Sequence, residues 1–198
     1  MLAAGLQWAR GGEPVAPAAA TSPILEALSP GVVGAAVAAG NGVAPVSARA
    51  AVVPHHDVAV SLIGRAVGAL REARPKTIVL LGPDHRNAGP GRYTVSALPW
   101  RWQGRTIPTN ASVGAALAAQ PAAATDTAFL ATEHSVLVPL PFLATRFPAA
   151  QIVLVTIRSG LDATSDDAFA SALDAALGPH DLVLASVDFS HHRDFIAA

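Results

Sequence analysis

Cysteine is absent from the 198 residues. That excludes disulfides, zinc ribbons, iron–sulfur clusters and thiol catalysis, and it leaves the redox compartment undecided. Charge is scarce as well. Asp, Glu, Lys and Arg make up 14% of the chain and sum to a formal net charge of −1, which excludes a broadly basic nucleic-acid binder. Lys76 is the single lysine. No hydrophobic run is long. Val32–Ala39 is far shorter than the roughly 20 residues that span a bilayer, so no membrane partner is expected. Met1–Arg10 has neither a positively charged start nor a sustained apolar stretch, so it does not read as a signal peptide. The default is a soluble, cytoplasmic protein, with export by an upstream signal left open.

Apolar residues, by contrast, reach 52%. Much of this share is alanine, which adds little transfer energy, so the large side chains of a few short runs must anchor the core. Residues 1–48 are rich in Ala, Gly and Pro. They read as an irregular leader with a short helix at Pro23–Leu28 that adds little to the core; the proline spacing argues against a longer helix. The domain proper is expected over 49–198. Within it, Ala50–Val53, Thr77–Leu81, Ile152–Ile157 and Leu182–Val187 are short, rich in Val, Ile and Leu and mostly non-alternating, the pattern of strands covered on both faces. Helical spacing predicts helices over Val58–Arg74 with Asp57 as N-cap, Thr109–Gln120, Ser135–Phe147 and Ser165–Leu177. Gly91–Pro108 suggests an inserted hairpin, in which Trp100 and Trp102 pack. The fold class is therefore α/β, a mostly parallel sheet flanked by helices on both faces.

Histidine placement carries the functional reading. His55 and His56 follow the first strand, His85 the second, and His191 and His192 the last; His134 opens a helix after Glu133. Parallel strands bring their carboxyl ends to one edge, where open α/β sheets bind ligands. One histidine at a loop start usually serves a cap or a polar network, but three clusters at equivalent strand ends point to a shared site. The convergent set adds Asp57, Asp84, Glu133 and Asp188. Imidazole with carboxylate suits a divalent transition metal such as iron or zinc, and a carboxylate can also orient a ligating ring.

The stretches Val53-Pro54-His55, Leu81-Gly82-Pro83-Asp84-His85, Glu133-His134-Ser135 with Leu140-Pro141-Phe142, and Ala185-Ser186-Val187-Asp188-Phe189-Ser190-His191 resemble, in order and spacing, the signatures of the Memo family. Its bacterial members are called AmmeMemoRadiSam system protein B. The resemblance covers about residues 50–198. It implies a fold like that of the class III extradiol ring-cleaving dioxygenases and a metal site, with iron or copper as the ion. It implies His55 and His85 as the first two ligands, with Asp188 and His191 beside the metal and His134 lining the same pocket. Two departures stand out. The first motif continues His56-Asp57-Val58 where the family usually has Ala-Gly-aromatic. The family domain also continues past the Asp-Phe-Ser-His motif and takes its third ligand from that later part. A chain ending at Ala198 is then a fragment, a C-terminally shortened variant with a different third ligand, or a domain that does not hold the metal; for the shortened variant His191 is the third-ligand candidate. Asp188 and then Glu133 are the substitutes. An uncovered sheet edge would then favour homo-oligomers.

Two functional classes follow. In one, the protein is a non-haem, metal-dependent oxidoreductase or oxygenase-like enzyme acting on a small molecule, with His134, Asp188 and His191 as catalytic groups and His134 or His191 moving protons. In the other, the fold is kept as a non-catalytic metal-binding or interaction module. Phosphate loops are excluded: Gly31–Gly34 and Gly40–Gly42 lack a following Lys-Ser/Thr, and Pro83 lacks the N–H such a loop uses. His180, after Gly178-Pro179, reads as solvated.

Overall fold

The computed structural model describes residues 18–96, 98–160 and 162–188. Its main sheet has six strands: β1 (Ala50–Val53), β2 (Thr77–Asp84), β3 (Tyr93–Val95), β6 (Ala123–Thr125), β7 (Gln151–Arg158) and β8 (Leu182–Ser186). They lie in the order β1-β8-β2-β7-β3-β6. The four expected strands are all present and mutually parallel, with β8 inserted between β1 and β2. β3 runs antiparallel to β7, and β6 parallel to β3.

Strand periodicity splits the core in two. Ile78, Leu80, Ile152, Leu154, Leu182 and Leu184 face one layer, while Val79, Val153 and Val155 face the other. Six fully buried aliphatic side chains on the first face alone contribute about 1.5–3 kcal/mol each. Helix α3 (Val60–Ala69), α6 (His134–Leu137) and α7 (Leu140–Arg146) cover the first face. Helices α4 (Ala111–Ala118) and α8 (Ala163–Ala176) cover the second. Pro139 separates α6 from α7, so the single helix expected over Ser135–Phe147 is two. The caps of α4 and α8 are Asn110 and Asp162, and a 3-10 turn at Asp57–Ala59 precedes α3.

The leader departs from expectation. It forms α1 (Pro23–Ala27) as anticipated, and also α2 (Pro30–Ala39). Pro23 and Pro30 do not break these helices because each sits in a first turn behind a serine N-cap, where proline is tolerated. Leu25 and Val33 are fully buried in the first core layer, and Val37 joins them. The expectation that this segment adds little to the core is thus corrected. α2 lies against α3, and it can do so because Gly64 has no Cβ: one would meet Ala36 Cβ at 2.4 Å.

The Gly91–Pro108 stretch also splits. Tyr93–Val95 joins the main sheet, and only β4 (Trp100–Trp102) and β5 (Arg105–Ile107) form the hairpin. Its turn places Gln103 and Gly104 at positive φ, the two-residue geometry that matches strand twist. Trp100 and Trp102 are buried in the first core layer, the packing role expected of them. No helix among the described residues is long and apolar enough to cross a membrane.

Candidate metal centre

β1, β8 and β2 are parallel neighbours, so the residues that follow them meet at one edge. His55 follows β1, His85 follows β2 and Asp188 follows β8. The fourth contributor, α6, sits directly on β2. Gly82 makes this possible: a Cβ there would meet Ser135 Oγ at 2.6 Å. Ser135 Oγ donates to the Pro83 carbonyl at 2.7 Å, which pins the helix start over the strand end. His134 therefore arrives beside His55 and His85.

The three rings form a compact group. Ring centroids are 5.0 Å apart for His55 and His85, 5.4 Å for His55 and His134, and 4.2 Å for the stacked His85 and His134. One donor nitrogen from each lies within 4.8 Å of the others, so the group could hold a metal ion.

Hydrogen bonds set which nitrogen each ring offers. Ser186 Oγ donates to the Ser135 carbonyl. A hydroxyl has one hydrogen, so at 3.0 Å from His55 Nδ1 the same oxygen accepts, and His55 carries its proton on Nδ1. Glu133 Oε1 accepts from His85 Nδ1 at 2.8 Å, which places that proton on Nδ1 too. Each neutral ring then turns a lone pair on Nε2 toward the other, and the two Nε2 atoms are 3.2 Å apart. Facing lone pairs repel unless a cation lies between them. Two donors each about 2.0–2.1 Å from one ion can be at most about 4.2 Å apart, so the observed spacing fits shared ligation.

The surrounding groups stiffen this arrangement. Glu133 is buried and also accepts from Ser135 N at 3.1 Å and His85 N at 3.2 Å. It thus orients His85 by ring and backbone together, as ligand-supporting carboxylates do. Asp188 Oδ1 accepts from His55 N at 3.1 Å, and its Oδ2 lies 3.5 Å from His55 Nε2. Burial, chiefly, pushes the His55 imidazole below its ordinary value; Asp188 opposes this, and His85 and His134 reinforce it. Burial and then His85 likewise lower His134, against Glu133 and Asp188. Both shifts favour the neutral, ligating form.

Not every expected residue converges. Asp84 is buried, and its carboxylate accepts from the backbone N–H groups of Arg86, Ala88 and Gly89. It shapes the loop after β2 and does not join the histidines. His56 and Asp57 pair with each other at 2.7 Å on the exposed side. His180 is exposed in a turn. His191 and His192 lie outside the described residues. Ser186 and Ser135 were missed as supports, although one signal existed: Ser186 ends the buried row Leu182–Leu184, where a polar side chain needs a partner. The sequence reading gave His134 a proton-transfer role, and the structure places its ring within the three-histidine group.

The family model of Memo-like proteins matches residues 36–197. The chain belongs to the Memo-like family. A MEMO1 family protein of Thermotoga maritima is 30% identical over 129 residues, which cover 64% of this chain and 46% of that relative. A MEMO1 family protein of Thermotoga sp. strain RQ2 matches with the same identity and coverage. The Memo-like chain thus spans about half the length of the curated relatives it matches. All residues of the centre fall inside the family match, whereas α1 precedes it.

Proposed function

We propose that His55, His85 and His134 hold a divalent transition metal, most plainly iron, and that the protein uses it in non-haem redox or oxygenase-like chemistry on a small molecule. The observation that carries this reading is the pair of Nε2 atoms 3.2 Å apart, with both Nδ1 protons engaged elsewhere. Imidazole donors suit iron, copper, nickel and zinc, and the nearby Asp188 carboxylate shifts the preference toward iron. When bound, the metal would polarise and orient what coordinates to it and supply redox chemistry.

The chain's own residues divide the remaining work. Ser186 and Glu133 hold His55 and His85 in the ligating tautomer. Asp188, beside His55, accepts and returns a proton at its Oδ2. His191 is kept in the proposal as a further ligand.

The second reading is a metal-binding or interaction module without turnover, which would use the same three histidines. Elemental analysis of anaerobically purified protein, followed by oxygen uptake with catechols, separates the two. One iron per chain with catechol-dependent uptake supports the enzyme. Bound metal with no uptake supports the module, and no bound metal after reconstitution overturns both.

A further inference from the structure

A cleft of about 410 Å³ opens beside the histidines, within the range of small-molecule sites. Its polar lining is His56, Asp57 and His134, and its apolar lining is Ile24, Ala27, Leu28 and Val138. His134 belongs to both the cleft and the three-histidine group, so the two adjoin at that ring.

The apolar wall is α1 and the residue that caps it, and this wall is built to keep its place. At one end, Ser22 Oγ donates to the Ala131 carbonyl at 2.6 Å and accepts from Ile24 N. At the other, Trp102 Nε1 donates to the Leu28 carbonyl at 2.7 Å, and Gln103 Nε2 to the Glu26 carbonyl at 2.6 Å. Ala20 exchanges backbone hydrogen bonds with Pro99 and Arg101 on the hairpin. A five-residue helix would fray alone; here a core side chain, Leu25, and the hairpin hold it in position. Ile24, Ala27 and Leu28 are nevertheless left partly or largely exposed, on the cleft side.

We infer that α1 is the specificity wall of the site, and that it selects a metal-chelating small molecule carrying one compact apolar group, an aryl ring or a branched alkyl chain of similar size. This rests on the metal reading above. The chelating head, anionic or neutral, goes to the histidines. The apolar group lies against Ile24, Ala27 and Leu28, and the largely exposed Asp57 carboxylate disfavours a second anionic group at the mouth.

The test uses the full chain loaded with Co(II) and two probes, acetohydroxamate and benzohydroxamate, with affinities read from the visible spectrum. The wild type is expected to bind benzohydroxamate about ten-fold tighter, the gain from burying much of a ring. Ala27→Trp, which fills the apolar part of the cleft, should remove that gain while Co(II) affinity stays within about two-fold. Leu28→Ala should reduce the gain without filling anything. Equal affinities for the two probes in the wild type, or an undiminished gain in Ala27→Trp, would overturn the inference while leaving the metal centre standing. A wild type that binds no Co(II) would overturn the metal reading and this inference together.

Discussion

The three-histidine group and the apolar wall of the adjoining cleft are built on opposite plans. The histidine side grows from the ends of buried parallel strands, β1, β2 and β8, and its rings are locked by Ser186 and Glu133. The opposite side is a single short helix, α1, fastened by a hairpin whose own strands lie outside the main sheet. The first plan suits a constellation whose donor positions must hold to a fraction of an ångström. The second suits a surface that can be altered without disturbing the core. On the proposed reading, strand ends would carry the chemistry and a braced element would select what reaches it.

The strand side is the more sensitive of the two. His85→Ala removes one of two fixed donors. Metal affinity should fall by at least about a hundred-fold, read as metal retained after dialysis against a mild chelator. His191→Ala in parallel tests the proposed further ligand; a comparable loss would place it on the metal, and retained metal would remove it from the ligand set.

On the helix side the largest effect is on stability. Leu25→Ala empties a fully buried position and should cost about 2–5 kcal/mol, seen as a lowered denaturation midpoint. An unmoved midpoint would return the leader to the peripheral role expected from its composition.

Glu133→Gln sharpens the account of the locked tautomer. It keeps the shape but weakens the hold on His85 Nδ1, and should lower metal affinity by about ten- to a hundred-fold.

The smallest effect concerns pH. His55 and His134 have folded-state values pushed below the ordinary 6.5, so between the lowered value and 6.5 the unfolded chain binds more protons. Their contribution to metal-free stability is full above pH 6.5 and is lost as pH falls through the lowered values. Melting curves of the metal-free protein should decline below pH 6.5, and His134→Gln should flatten that decline.

The parallel strands and the edge where histidines gather were legible because short runs rich in Val, Ile and Leu and strand-end histidines are local signals with a global consequence. His55 and His85 were readable in the same way. α2 was not, because proline spacing was weighed without the position of each proline: Pro30 behind Ser29 starts a helix where an interior proline would end one. Ser186 and Ser135 escaped because their value lies in a relay across elements 51 residues apart, which no local pattern encodes. Asp84 misled for the opposite reason. It sits at the right edge, yet three backbone N–H groups of its own loop engage its carboxylate. The cleft's apolar wall was hidden because it joins α1 to residues more than a hundred positions later.

The central claim is that His55 and His85 both keep their protons on Nδ1 and offer Nε2 to one ion. Long-range ¹H–¹⁵N spectra of the histidine side chains, recorded on the full chain with and without one equivalent of Zn(II), test it most directly. The expected result is Nδ1–H tautomers for both rings before addition, and metal-induced Nε2 shifts confined to His55, His85 and His134 together with any ligating His191. Nε2–H tautomers for His55 and His85, or Zn(II) shifts that spare both rings, would contradict the account.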